Sequence, residues 1–121
     1  MLFRSVVDDD SAICEAISDV FSDVGCEVTT ATSGREALAH LRSGAALPRL
    51  IFLDLLMPGM DGYALRAELK TDPRLMRIPL VIVTAVRAEP ARLMGTPILR
   101  KPVQLEAMLA AFDQYGARLE A

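Results

Sequence analysis

Histidine occurs once, lysine twice and cysteine twice in this chain of 121 residues. The scarcity of each excludes something. One histidine, His40, on a predicted helix with no acid–base pattern beside it, leaves no basis for a nucleophilic triad, and it reads as a solvated side chain. Cys14 and Cys26 are too few for a disulfide framework or a zinc site, and read as small buried or half-buried thiols. No apolar run approaches the roughly eighteen residues that a membrane span needs. Met1-Leu2-Phe3-Arg4 runs directly into a strand without a signal-peptide layout, so the expectation is a cytoplasmic protein with no membrane partner. A net charge of −3 and a pI near 5.1 supply no basic footprint for nucleic acid. No G-x-G-x-x-G follows a strand, which argues against a nucleotide-binding Rossmann domain.

What is present is apolar and periodic. A hydrophobic fraction of 52% and a mean hydropathy of +0.32 fit a parallel sheet covered by helices on both faces. The length is that of one domain, 1–121. Strand-like runs alternate with helix-period segments, the pattern of repeated βα units and an α/β, doubly wound sheet. The first strand covers Leu2 to Val7. Ile13, Ile17, Val20, Phe21 and Val24 form one face of the first helix, which Gly25 ends. Asp10 is placed to cap its start. Glu27 to Thr30 is a short second strand. Ser33-Gly34-Arg35-Glu36 reads as a capping box opening a helix whose apolar face is Ala37, Leu38 and Leu41.

Ser43 to Pro48 is a loop, and the third strand, Leu50-Ile51-Phe52-Leu53, ends at Asp54. Pro58, Gly59 and Gly62 make Leu56 to Gly62 a loop before a third helix carrying Ala64, Leu65 and Leu69. The fourth strand, Leu80 to Val83, ends at Thr84. A brief fifth, Ile98-Leu99, runs into Arg100-Lys101-Pro102. Leu105, Met108, Leu109 and Phe112 line one face of the last helix.

The strand ends carry the chemistry. In a doubly wound sheet the C-terminal ends of strands one, three, four and five gather at one edge, where ligands bind. They bring Asp8 and Asp9, Asp54, Thr84 and Lys101. Crowded carboxylates repel unless something positive sits among them. Oxygen ligands select magnesium or calcium, and a small site that keeps several waters favours magnesium. A cation, an ammonium and a hydroxyl together suit a phosphoryl group, whose equatorial oxygens need positive charge and donors. Eleven arginines against two lysines, Lys70 and Lys101, hint that an ammonium is wanted at position 101, since Arg100 beside it could supply charge alone. Taken singly, each element is ordinary: an Asp after a strand commonly caps a helix, and a Lys-Pro is a turn. Their joint occurrence at successive strand ends is what points to one site.

Val6-Val7-Asp8-Asp9-Asp10, Leu53-Asp54-Leu55-Leu56-Met57-Pro58-Gly59-Met60-Asp61-Gly62, Val83-Thr84-Ala85 and Lys101-Pro102 resemble the receiver domain of two-component response regulators. The likeness runs over nearly the whole chain. The resemblance implies a flavodoxin-like, five-stranded parallel sheet of order 2-1-3-4-5. It implies that Asp54 accepts a phosphoryl group from the phosphohistidine of a sensor histidine kinase or phosphotransfer protein. Mg²⁺ would be held by Asp9, Asp54 and the backbone carbonyl of Leu56, with Asp8 assisting. Thr84 and Lys101 would meet the phosphoryl oxygens, the Lys101–Pro102 peptide would be cis, and the signal would pass to a downstream effector protein or another part of a longer chain. No turnover of an external substrate is implied.

Two places depart from the family pattern. Three residues before the lysine the family usually has Tyr or Phe; here it is Ile98, and Phe112 and Tyr115 on the last helix cannot substitute by position. The interval from Thr84 to Lys101 is short and holds Pro90, Gly95 and Pro97, so the fourth helix is expected to be short or irregular, a turn or two around Ala91 to Met94. A standard dimer face is therefore not carried over, and the oligomeric state stays open. Leu56 and Val86, apolar and unable to orient water, predict slow self-hydrolysis of phospho-Asp54. The alternatives are a phosphorylation-independent pseudo-receiver acting as an interaction module, and a haloacid-dehalogenase-like phosphatase. The latter needs an acid two residues after the nucleophile, where Leu56 stands.

Overall fold

A computed structural model describes residues 2–116. The elements follow in strict alternation: β1 (Leu2–Val7), α1 (Ser11–Asp23), β2 (Cys26–Ala31), α2 (Gly34–Leu41), β3 (Ile51–Leu53), α3 (Gly62–Thr71), β4 (Leu80–Thr84), α4 (Pro90–Leu93), β5 (Ile98–Arg100) and α5 (Leu105–Gly116). The strands form one sheet in the order β2-β1-β3-β4-β5, every neighbouring pair parallel. This is the doubly wound architecture expected from the sequence.

Successive strand residues point to opposite faces, and the sheet is apolar on both. Val7, Ile51, Leu53, Leu80 and Ile82 pack toward Leu38 and Leu41 of α2, Leu65 and Leu69 of α3, and Leu93 of α4. Their neighbours Val6, Phe52, Val81 and Val83 pack on the other face with Cys14 and Phe21 of α1 and Met108 and Phe112 of α5. On that second face Phe21 stacks between Phe52 and Phe112, with ring centroids 5.5 and 5.1 Å apart. The buried Arg4 guanidinium lies 3.9 Å over the Phe112 ring. Such aromatic contacts add to the burial term through ring electrostatics.

Local starts and stops follow side-chain chemistry. Asp10 caps α1 by accepting the Ala12 and Ile13 amides, and Ser33 caps α2 by accepting that of Glu36 at 3.1 Å. Glu36 in turn accepts from the Thr32 hydroxyl. Gly25, with a φ of 79°, turns the chain out of α1. Two expectations are corrected. Val24 does not belong to the buried face of α1: it is the C-cap and is 56% exposed, while Cys14, seven residues before Phe21, takes the inner position. The second strand is longer than Glu27 to Thr30, because Cys26 and Ala31 also pair with β1 and are buried. α4 is a single turn, Pro90–Leu93, and stops where Met94 adopts a left-handed conformation. Residues 117–121 of the expected domain, and the Tyr115 side chain, lie outside what is described.

Candidate functional site

Strand register brings the acids together. Val7 pairs with Leu53, so Asp8 and Asp54 are the next residues of adjacent strands; the Asp54 amide donates to the Val7 carbonyl at 2.9 Å and that of Asp8 to Ala31 at 3.0 Å. On the far side Thr84 pairs with Arg100, and Lys101 follows, its amide donating to the Thr84 carbonyl at 2.9 Å. The Lys101–Pro102 peptide is cis.

Asp8 and Asp54 are buried, at 3% and 6% exposure, and Asp9 is exposed. The Lys101 ammonium donates to Asp8 Oδ2 at 2.6 Å and to Asp54 Oδ2 at 3.3 Å, bridging the two carboxylates. Burial pushes the lysine's pKa down, but the hydrogen bond to Asp8 and the charges of Asp54 and Asp8 more than offset it, so the pKa is raised from 10.5. The other carboxylate oxygens are met by backbone: the Asp10 amide donates to Asp8 Oδ1 at 2.9 Å and the Leu56 amide to Asp54 Oδ1 at 3.4 Å. Leu56 itself is 64% exposed in the loop beyond β3. Thr84 is fully buried, and its Oγ1 accepts from the Val86 amide at 3.3 Å.

One carboxylate oxygen from each of Asp8, Asp9 and Asp54 lies within 4.8 Å of the others. Three hard oxygen donors at that spacing, two of them buried, fit a small divalent cation that keeps water in its remaining positions. A single lysine is not enough to neutralise the cluster. The donor set therefore suits Mg²⁺.

Two residues that shape the site were given no role at it from the sequence. A Cβ on Gly62 would lie 2.3 Å from the Asp54 carbonyl oxygen and 2.7 Å from Leu55 Cα; only glycine lets the start of α3 seat against the end of β3, where its amide donates to the Leu55 carbonyl at 2.9 Å. The signal is the glycine itself, which stands both in the loop and at the end of the motif from Leu53 to Gly62. Cys14, on the buried face of α1, donates its thiol to the Asp8 carbonyl at 3.3 Å, and burial, with Asp8 nearby, raises its pKa. The departures noted in the sequence are also visible. Ile98 packs half-buried on the α2–α3 side of the sheet, whereas Phe112 belongs to the opposite face. A cavity of about 510 Å³ lies between α1 and α5, lined by Ile13, Ile17, Val83, Val103 and Met108 and bordered by Lys101. Among the described residues, no helix is long and apolar enough to cross a membrane.

A parallel 2-1-3-4-5 sheet with acids at the ends of β1 and β3 and a lysine after β5 defines a class, and comparison with known proteins agrees. The response regulator receiver domain family matches residues 5–113, and the chain belongs to it. It is 37% identical over 111 residues to the response regulator PleD of Caulobacter vibrioides, covering 88% of this chain but only 24% of PleD. It is 31% identical to the protein PilG of Pseudomonas aeruginosa, over 91% of this chain and 84% of PilG. The chemotaxis protein CheY4 of Vibrio cholerae superposes with a TM-score of 0.84 at 28% identity, covering 95% of this chain and 98% of that one.

Proposed function

We propose that this receiver domain is a phosphoacceptor. Asp54 takes a phosphoryl group from the phosphohistidine of a sensor histidine kinase or phosphotransfer protein, and the domain passes the signal to an effector by changing conformation. The observation that carries this reading is the Lys101 ammonium held between Asp8 and Asp54, beside three clustered carboxylates. Asp8, Asp9, Asp54 and the Leu56 carbonyl are the groups that would hold Mg²⁺, which when bound offsets the charge of the incoming phosphoryl group.

The remaining work falls to the chain. An Asp54 carboxylate oxygen attacks phosphorus in line as the phosphorus–nitrogen bond to the donor imidazole breaks; the imidazole leaves with the electron pair and takes up a proton. Lys101 has an ammonium within 3.3 Å of the nucleophile and follows the charge onto the new phosphoryl oxygens. Thr84 turns its hydroxyl proton toward the same group. On this reading the domain turns over no external substrate and is a signalling module. Exposed, apolar Leu56 orients no attacking water, which supports a long-lived acyl phosphate.

Acetyl phosphate with Mg²⁺ and intact-mass detection tests the proposal. The wild type gains one phosphoryl mass that decays over minutes or longer, and Asp54→Ala gains none. An unlabelled wild type would favour the phosphorylation-independent interaction module, to which the single-turn α4 and Ile98 lend some support. A label lasting only seconds would contradict slow self-hydrolysis.

A further inference from the structure

The segment between β4 and α4, residues 85–89, is held at both ends by side-chain hydroxyls. The Val86 amide donates to Thr84 Oγ1 at 3.3 Å, and the Glu89 amide to the Tyr63 hydroxyl of α3 at 2.7 Å. The Arg92 guanidinium lies 3.8 Å above the Tyr63 ring, with its charge 3.6 Å from Glu89. Beyond α4, Arg66, one turn after Tyr63 on the same helix, donates to Thr96 Oγ1 at 3.0 Å, and Thr96 donates to the Leu93 carbonyl. α3 therefore grips both ends of α4.

α4 needs that grip. It has four residues, no side-chain cap at its start and one buried side chain, Leu93. A single turn is unstable alone, because nucleation fixes several dihedrals for one hydrogen bond. Its resting position is lent to it by α3. Thr84, meanwhile, is fully buried at the end of β4, where its carbonyl accepts from the Lys101 amide, and its hydroxyl oxygen is the other anchor of the same segment. A shift of that hydroxyl toward a group on Asp54 would be felt at the Val86 amide it holds, at the opposite end of the segment from the Tyr63 anchor.

We infer that Tyr63 is a positioning residue whose hydroxyl latches α4 in its resting place, and that occupation of the Asp54 site is read out by release of this latch. The inference rests on the proposal that Asp54 accepts a phosphoryl group. A contact made in one of two states biases the equilibrium against the other. Deleting the latch must therefore favour the occupied state, whereas deleting a merely structural contact would not tighten binding.

The test uses the full chain, beryllofluoride with Mg²⁺ as the phosphoryl mimic, fluorine NMR to follow binding, and hydrogen–deuterium exchange at the Glu89 amide. In the wild type, bound mimic accelerates Glu89 exchange severalfold. In Tyr63→Phe that amide exchanges fast before any mimic is added, and the mimic binds roughly fivefold tighter, the shift that loss of one ordinary hydrogen bond from the resting state produces. Mimic bound to wild type with Glu89 protected as before, or Tyr63→Phe binding no tighter than wild type, overturns the latch and leaves the phosphoacceptor reading intact. A wild type that binds no mimic overturns both.

Discussion

The acidic edge and the α4 segment are neighbours built in opposite ways. At the edge, position is set by strand register: Asp8 and Asp54 follow paired residues of β1 and β3, Lys101 follows β5, and backbone amides occupy the carboxylate oxygens that Lys101 leaves. The α4 segment has one turn of helix, one buried anchor and a set of side-chain bonds to α3. The first is held by the whole sheet and the second by a few contacts. Regions that change state are drawn from the less stable parts of a fold, so on the latch proposed above the fixed site and the segment that reports on it lie side by side.

Breaking the edge should cost most. Gly62→Ala drives a methyl group into the Asp54 backbone, which the register of β3 keeps from yielding. About 3 kcal/mol of stability should be lost, as for a forced overpacking, with phosphorylation impaired as well; a denaturant titration that matches wild type would contradict this. Lys101→Met leaves two buried acids facing each other. With Lys101 17% exposed, the expected loss in the absence of Mg²⁺ is about 2 kcal/mol, below the range for a fully buried pair, and Mg²⁺ should recover part of it.

The same lysine gives a pH signature. Its folded pKa is raised above the ordinary value, so its contribution is complete below the unfolded-state pKa and disappears as pH climbs through the folded one. Wild-type stability should fall in that alkaline range, and Lys101→Met should lack this component of the fall. The smallest effect sharpens the contrast. Leu93→Ala empties a fully buried site, yet the segment around it can open locally, so the global unfolding free energy should fall by about 1 kcal/mol, less than a core truncation usually costs. Exchange across residues 90–96 should lose protection while Asp54 remains phosphorylatable.

Sequence and structure agree where the physics is periodic or local. The alternation of Val6 with Val7, and of Phe52 with Ile51 and Leu53, serves two faces of one sheet, and an apolar run bounded by an acid is enough to locate the ends of β1 and β3. Val24 fits the helical spacing but is exposed, because as the C-cap it has already left helical geometry ahead of the turn at Gly25. Cys26 and Ala31 were left out of β2 because pairing, which no single segment reveals, extends it at both ends. Gly62, Cys14 and Tyr63 act between elements and not within one: a carbonyl that forbids a Cβ, a thiol donating to the residue after a strand, a phenol under a guanidinium. Nothing in their immediate neighbours announces such contacts.

The chain contains no tryptophan and two tyrosines, and one of these, Tyr63, sits beneath Arg92 with its hydroxyl on the Glu89 amide. With no indole to mask it, tyrosine emission from this chain comes from two phenol rings. Any rearrangement of α4 alters the surroundings of one of them, and the molecule carries a built-in optical reporter.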